Sequence, residues 1–499
     1  MPHPPLIIPG VGKGSEIPDT RTAFNKIAAE IEELNPETII IISPHSVLYS
    51  DYFHISPGKQ AKGDMSKFEA KQISFCVSYD EEFAELIGKI ANNKGLPAGP
   101  LGEREAALDH GVMVPSYFIA ATPHKDGICP SASFRQTTKT KHCVRGCTTP
   151  PKPFLLSEQK SIENPNTPSV RCCLHRQIVR ISLSGSSVIE HYRLGMCIAE
   201  AGKRLNRKFV VIASGDMSHK LKHDGPYGFA PEGPEFDKLV CYCIENNEWQ
   251  ILMQIDPDLA ESAAECGYKS IGILLGVFDG QKINGKILCY EGPFGVGYLT
   301  AEFEATGNKA SLLQELLSAS KNAIEQIRAQ EDEYVRLARQ SVEYFTRTGE
   351  ILNISKDLPK NLLNTRAGVF VSVKKEGNLR GCVGTTGPSE KNIAAEIIQN
   401  AISACSRDPR FSPVEEKELP YLIYSVDVLF PPEAIKSKSK LDVNRYGVIV
   451  RCGRRSGLLL PALAGINTVD EQISIALRKG GISPDEPYTL ERFEVVRHN

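Results

Sequence analysis

The sequence predicts two folded parts, an N-terminal α/β domain with a central, mostly parallel sheet and a C-terminal α+β domain. The first observation is a run of four isoleucines at residues 39–42, which is followed by Ser-Pro-His. The second is another apolar run, FVVIA at residues 209–213, which is followed by small residues and a histidine. Such uninterrupted runs are typical of strands that helices cover on both faces. The third is the alternating segment GVFVSV at residues 368–373, which is typical of a half-buried strand in a hairpin.

The composition excludes several classes of protein. The chain has 499 residues, of which 41% are hydrophobic and 24% charged, and its formal charge is −2. These values are ordinary for a soluble protein and give no reason to expect binding to nucleic acid or to a membrane. The N-terminus lacks a basic segment followed by an apolar core, so we expect no signal peptide and a cytoplasmic location. We therefore expect most of the 14 cysteines to be reduced thiols.

The first part of the chain predicts a β–α–β unit. Residues 6–8 are apolar and indicate a short strand, and a helix with one apolar face is predicted at 20–34, before the isoleucine strand. The next predicted elements are a strand at 74–77, a helix at 81–93 and an apolar segment at 112–121.

Residues 124–176 have a different composition, which is rich in Thr, Ser, Pro, Lys and Arg and has no apolar period. This composition predicts a disordered insertion. The cysteines and histidines of the segment could form a zinc site, but the CxxC spacing of ordinary zinc modules is absent.

Regular structure is predicted again after the insertion. Strands are expected at 178–182, 209–213, 287–290 and 296–303, and helices at 191–205, 235–246, 257–264 and 270–278. The first domain would span 1–306 and a helical linker 307–332.

The second domain would span 333–499. We expect a hairpin of 368–373 with 379–384, a helix at 389–406, a strand at 421–430, a second hairpin of 446–451 with 457–460, a helix from 468 to 479 that opens with a capping box, and a closing strand at 493–496. Cys382 lies between glycines on the first hairpin, where a reactive thiol and a buried small side chain are both compatible with the sequence. Arg366 and Arg380 flank this hairpin and could meet an anionic ligand or solvent.

Four histidines lie where one sheet edge could bring them together. His3 precedes a predicted strand, His45 and His219 each follow one, and His110 begins an apolar segment beside Asp109. In open α/β sheets, ligands bind at the carboxyl edge of the strands. Two imidazoles and a carboxylate with open coordination positions describe an iron(II) site for dioxygen chemistry, and a further histidine can move protons. Because histidines at strand ends are also often structural, a purely structural role stays open.

Several motifs carry a resemblance to known families. The segments HPPLIIP, IIISPHS, LDHG and ASGDMSH resemble the LigB/Memo superfamily, which has the class III extradiol dioxygenase fold. The segments LRGCVGT, DPRFSPV, VDVLFPPE and GLLLPAL resemble the AMMECR-type domain. The fusion resembles the AmmeMemoRadiSam system protein A family, whose members occur beside a radical SAM protein. The resemblance covers nearly the whole chain apart from residues 124–176.

The resemblance implies a metal site that holds ferrous iron, with zinc or copper as alternatives. His3 and His45 would be the first two ligands. The third would be Glu265, as in LigB-type dioxygenases, or Cys266, as in Memo-type proteins. A thiolate ligand would favour a softer or redox-active metal and would put simple ring cleavage in doubt.

The resemblance also implies catalytic roles near the metal. His219 would be the acid/base that deprotonates the substrate, His110 would handle protons, and Asp216 would orient the site. The expected activity is that of an oxidoreductase acting on a small aromatic or phenolic substrate. The alternatives are a metal-binding partner of the radical SAM protein without ring cleavage, and a scaffold with a degenerate site. A homo-oligomer is compatible with the sequence.

Overall fold

The computed structural model describes residues 1–11, 16–101, 107–122, 170–375, 377–463 and 466–499. The chain divides into two compact units, Met1–Leu316 and Leu317–Asn499. In the described part of the chain, none of the helices combines the length and the apolarity that crossing a bilayer requires.

The N-terminal unit alternates strands and helices. Its strands are β1 (Thr38–Ser43), β2 (Phe53–His54), β3 (Gln60–Met65), β4 (Ala70–Tyr79), β5 (Ala98–Gly99), β6 (Val170–Ser182), β7 (Phe209–Ala213), β8 (Gln281–Glu291) and β9 (Tyr298–Asn308). Its helices are α1 (Pro18–Leu34), α2 (Glu81–Asn93), α3 (His110–Ala121), α4 (Val188–Leu205), α5 (Glu232–Asn246), α6 (Trp249–Leu252), α7 (Pro257–Ala263) and α8 (Tyr268–Val277). The division between the two units falls within α9 (Leu312–Ala329).

The central sheet has the strand order β3-β4-β6-β1-β7. Strands β4, β6, β1 and β7 run parallel to one another, and β3 runs antiparallel to β4. All six residues of β1 are buried, because alternate isoleucines enter opposite hydrophobic cores. One core includes Phe24 of α1 and Val112 of α3, and the other includes Phe83 of α2 and Ile198 of α4. The predicted α/β class with a mostly parallel sheet is therefore confirmed.

The predicted strand at residues 6–8 is wrong. Pro5–Ile7 forms a single 3-10 turn, in which Pro5 occupies the first helical position. Proline has a fixed φ that suits the start of a helical turn and lacks the N–H that a strand would need for pairing. The β–α–β unit predicted at the N-terminus therefore lacks its first strand.

Strand β6 begins earlier than the sequence suggested. It starts at Val170, so residues 170–176 of the predicted insertion lie in the central sheet, and the prediction of disorder is wrong for them. The zinc-site candidates Cys172, Cys173 and His175 lie in this strand. Residues 124–169, with the remaining candidates, lie outside the described residues. Cys76 of β4 and Cys173 of β6 are partners in the register and form a disulfide. The other described cysteines are free thiols, so this pair is the exception to the expected reduced state.

The C-terminal unit is α+β, as predicted. Its helices are α10 (Glu333–Thr348), α11 (Lys360–Asn364), α12 (Ile393–Ser406) and α13 (Val469–Lys479). Its strands are β10 (Gly368–Lys375), β11 (Asn378–Gly384), β12 (Leu422–Leu429), β13 (Glu433–Ile435), β14 (Gly447–Cys452), β15 (Arg455–Leu459), β16 (Thr489–Phe493) and β17 (Val495–His498). They form two antiparallel sheets with the orders β11-β10-β12-β17 and β13-β16-β14-β15. The capping box predicted at Thr468 is present at the start of α13.

Candidate metal centre

The carboxyl ends of β1 and β7 carry two of the predicted site segments. The strands are parallel neighbours, with Ile42 opposite Ala213, so the chain beyond both strands emerges at the same sheet edge. His45 lies two residues after β1, and the loop that follows β7 contains Asp216 and His219. The N-terminal segment is attached to this loop, because the backbone N–H of His3 donates to Asp216 Oδ1 at 2.9 Å. Three segments that are distant in the sequence therefore meet at one edge.

The site contains a group of three potential metal ligands. The donor atoms of His3, His45 and Cys266 all lie within 4.8 Å of one another. The two histidine Nε2 atoms are 2.9 Å apart, and Cys266 Sγ is 3.7 Å from His3 Nε2. His3 is buried, Cys266 is partly exposed and His45 is exposed, so the group opens to solvent on the His45 side.

The ring of His3 is oriented by a hydroxyl group. Its Nδ1 lies 3.0 Å from Ser214 Oγ, which can accept a hydrogen bond from Nδ1–H and so leave the Nε2 lone pair directed at the cluster. Burial lowers the pKa of His3 well below its usual value, and the neighbouring His45 lowers it further. The imidazole is therefore neutral at neutral pH, which is the form that binds metals.

Glu265 and Cys266 are adjacent in the sequence, but only Cys266 belongs to the three-residue group. Glu265 Oε2 accepts a hydrogen bond of 2.6 Å from the backbone N–H of Tyr268, the first residue of α8. Cys266 Sγ instead accepts a hydrogen bond of 3.2 Å from the backbone N–H of Asp216. Burial raises the pKa of Glu265 to about 7, and it raises the pKa of Cys266 well above its usual value. The structure therefore places the thiol, and not the carboxylate, among the histidines.

The other predicted site residues surround this group. His219 Nε2 is 3.8 Å from Cys266 Sγ, and the ring of His219 stacks on Tyr227 with centroids 5.1 Å apart. The ring of His110 stacks on that of His45 at 4.1 Å. All the residues predicted for the site except Glu265 therefore converge on one place.

The same residues have shifted pKa values. Burial is the main cause that lowers the pKa of His219, and it lowers that of His110 to about 2 with help from His3 and His45. Burial raises the pKa of Asp216 to about 6. The imidazoles that surround the group are consequently neutral near pH 7.

A cavity of about 1030 Å³ adjoins the cluster. His45, Asp109 and His110 line one side of it, and the polar faces of β3, β4 and β6 line another. Asp109 Oδ1 accepts a hydrogen bond from Ser43 Oγ, and so links the start of α3 to the end of β1. The cavity therefore begins at the exposed side of the three-residue group.

Sequence reasoning missed Arg180, which also lines this cavity. Arg180 is only 1% exposed, and its guanidinium donates to Ser56 Oγ and to the carbonyl oxygen of Ala107, while Nη1 lies 3.8 Å from Asp109 Oδ2. The available signal was an arginine inside the otherwise apolar strand sequence IVRIS. A buried arginine in a sheet is rare unless it is paired.

The candidate functional residues of the second unit, Arg366, Arg380 and Cys382, form hydrogen bonds with other residues of that unit. Arg380 donates from Nε and Nη2 to the two carboxylate oxygens of Glu418, at 3.0 and 2.9 Å. Arg366 donates to the carbonyl oxygens of Pro388 and Glu390. Cys382 is partly exposed, and its Sγ accepts a hydrogen bond from Ser372 Oγ at 3.3 Å. Both arginines therefore have structural partners in this unit.

Comparison with known proteins covers both units. Residues 1–141 and 170–301 match the family described as the catalytic LigB subunit of aromatic ring-opening dioxygenase, and residues 335–498 match the AMMECR1 family. A protein of Clostridium acetobutylicum is 38% identical over 508 aligned positions, which cover 100% of this chain and 98% of that protein. A protein of Thermotoga maritima is 44% identical over 170 positions, which cover 34% of this chain and 98% of that protein. The crystal structure of a Pyrococcus horikoshii protein is 34% identical and covers 33% of this chain and 88% of that chain, with a TM-score of 0.31.

Proposed function

We propose that the N-terminal domain of this chain, which belongs to the LigB family of aromatic ring-opening dioxygenases, is a metal-dependent oxidoreductase. The C-terminal domain belongs to the AMMECR1 family. His3, His45 and Cys266 would hold the metal. The observation that carries this proposal is the convergence of three donor atoms from three distant segments within 4.8 Å. Its substrate would be a small aromatic or phenolic molecule that enters from the adjoining cavity.

The donor set fits a transition metal. Two neutral imidazoles and a thiol suit iron, zinc or copper better than a hard cation such as magnesium. The two Nε2 atoms are 2.9 Å apart, a separation at which both can lie about 2.1 Å from one ion. A ferrous ion bound there would supply open coordination positions for a phenolate and for dioxygen.

His219 is the best-placed general base. It lies beside the three-residue group, and its pKa is lowered, so the neutral ring can take the proton of a substrate hydroxyl. Asp216 acts against that shift, because its negative charge favours the protonated form of His219. His110 lies against His45 at the cavity wall and would position the substrate or relay a proton.

Metal analysis of anaerobically purified protein tests the ligand assignment. Wild type should contain about one equivalent of metal, and cobalt(II)-substituted protein should show a thiolate-to-cobalt absorption band. Cys266→Ser should lose the band, whereas the matched control Glu265→Gln should keep it because that carboxylate contacts the N-terminus of α8. A band that survives in Cys266→Ser would contradict the assignment.

Oxygen uptake tests the activity itself. Iron-loaded wild type should consume dioxygen with a catechol from a panel of substituted rings. His219→Ala should lower the rate by at least about 100-fold, since general acid–base groups contribute factors of this size. His45→Ala should abolish the uptake, because it removes one of the proposed metal ligands. A rate unchanged in His45→Ala would refute a metal-centred oxidation at this site.

One observation favours a second function. A thiol takes the place where a carboxylate would complete the usual iron(II) ligand set, and this favours a metal-binding partner of a radical SAM protein without ring cleavage. In that case the protein would bind metal through Cys266 but would consume no dioxygen with any catechol, and it would co-purify with the radical SAM protein when the two are co-expressed.

A further inference from the structure

The cavity beside the metal centre has an ordered polar floor. The strand register places Lys62, Cys76 and Cys173 in one row across β3, β4 and β6. It places Asp64, Ser74 and Arg171 in the neighbouring row. All six residues line the cavity. The disulfide between the two cysteines joins β4 to β6 within the first row and so fixes the spacing of the charged side chains around it.

Among the described residues that line the cavity, basic side chains outnumber acidic ones. The basic residues are Lys62, Lys67, Arg171 and Arg180, and the acidic residues are Asp64 and Asp109. Both carboxylates already have hydrogen-bond partners within the protein. Asp64 accepts a hydrogen bond of 2.8 Å from the backbone N–H of Ser66, and Asp109 accepts one from Ser43 Oγ and lies 3.8 Å from Arg180. Each of the two carboxylates therefore has a partner close to it in the structure.

Two of the basic side chains remain available to a ligand. Across the described residues, Lys62 and Arg171 form no ion pair, and both are exposed to the cavity. The residue that directly opposes Lys62 in the register is Cys76 of the disulfide, and the one that opposes Arg171 is Ser74. Asp64 lies in the same row as Arg171 but two strands away. A cleft lined by one sign of charge raises the local concentration of ligands of the opposite sign.

We propose that this cavity binds an anionic group of the substrate, a carboxylate or a phosphate, through Lys62 and Arg171, and that the reacting end of the molecule lies against His45 and His110. The proposal rests on the proposed function, because it assigns a substrate class to the same site. With a volume of about 1030 Å³, the cavity is at the upper end of the usual range for small-molecule sites, so it has room for an anionic substituent as well as the aromatic ring.

Titration calorimetry on the metal-free full-length protein tests the anion site without any turnover. The probes are pyrophosphate and citrate, which separate phosphate from carboxylate recognition. Wild type should bind at least one of them saturably, with an affinity that falls as salt is added. Lys62→Gln and Arg171→Gln should each weaken binding by about fivefold to tenfold, since each removes one charge-assisted contact.

The matched control is Lys71→Gln, an exposed lysine of β4 that does not line the cavity. It should bind the probe as wild type does. An equal loss in Lys71→Gln, or the absence of saturable binding to wild type, would overturn the proposal. Because the measurement needs neither metal nor turnover, anion binding by a protein that takes up no metal would refute the proposed function alone, and metal-dependent activity without anion binding would refute this inference alone.

Discussion

A close contact between two glycines brings together the loops of the candidate metal centre. Gly215 precedes Asp216 in one loop, and Gly267 follows Cys266 in the other. A Cβ added at Gly215 would lie 2.2 Å from Gly267 Cα, whereas ordinary contact begins at 3.4 Å. Gly215→Ala would therefore have to separate the loops by about 1.2 Å, several times the tolerance of about 0.2 Å in metal–ligand distances. The backbone conformation of Gly215 is not left-handed, so this contact is the source of the strain.

We expect Gly215→Ala to weaken metal binding by about 10–100-fold, the range found when groups that support metal ligands are changed. Overpacking should also lower the free energy of unfolding by about 1–3 kcal/mol. Cobalt(II) titration followed by the thiolate absorption band measures the first effect, and urea unfolding of the metal-free protein measures the second. The control is Gly307→Ala, where nothing lies within 4 Å of the added Cβ.

A graded variant keeps this test informative if Gly215→Ala fails to fold. A Cβ at Gly267 would meet Met217 Cε at 2.7 Å and Asp216 O at 3.0 Å, so the flexible methionine can absorb part of the overlap. Gly267→Ala should therefore weaken cobalt binding less than Gly215→Ala does. Cobalt affinity and absorption equal to those of wild type in both variants would refute the argument that this backbone contact sets the position of Cys266.

Three further predictions concern stability. Glu32 and Arg176 form a buried, two-point ion pair, so Glu32→Gln should lower the unfolding free energy by about 3–5 kcal/mol in urea titrations, because it removes the carboxylate that faces a buried guanidinium. The pKa of Asp408 is lowered from 3.8 to about 2, mainly by its hydrogen bonds with Arg410, so its contribution is complete above its unfolded pKa and is lost as the pH falls through 3.8 towards 2. Asp408→Asn should flatten this acid limb in urea midpoints measured from about pH 2 to 5. A Cβ at Gly195 would lie 2.0 Å from Ile273 O, so Gly195→Ala should force α4 away from α8 and lower the melting temperature.

The sequence was informative wherever a local pattern determines the structure. The isoleucine run became β1 because a strand buried on both faces has little tolerance for polar residues. The helix predicted at 81–93 has the observed bounds of α2, whose first turn is capped by Asp80. The strand predicted at residues 6–8 failed because an apolar tripeptide does not reveal whether a neighbouring strand exists. The order of the strands in the central sheet could not be predicted for the same reason, since it depends on pairings between segments more than 100 residues apart, such as β1 with β6.

The candidate site likewise has features that the sequence could predict and features that it could not. The histidines could be found from the sequence because each stands at the end or the start of an apolar element, and the structure brings His3, His45, His110 and His219 together. The close approach of Gly215 to Gly267 leaves no local signal, because it depends on the packing of two loops. Arg180 was missed because one charged residue in a strand sequence can equally well face solvent.

The choice between Glu265 and Cys266 follows from where α8 begins. The first N–H groups of a helix lack partners within the helix and need a hydrogen-bond acceptor. Glu265 supplies it, since its carboxylate accepts from the backbone N–H of Tyr268. The next side chain, Cys266, then faces the histidines, and its Sγ accepts a hydrogen bond from the backbone N–H of Asp216. A carboxylate at 266 would add a third acid to a region where burial already raises the pKa values of Asp216 and Glu265. A thiol, whose pKa burial also raises, stays neutral there and avoids that electrostatic cost. The adjacent pair therefore divides two tasks, so that the acid stabilises the helix and the sulfur completes the group of donors.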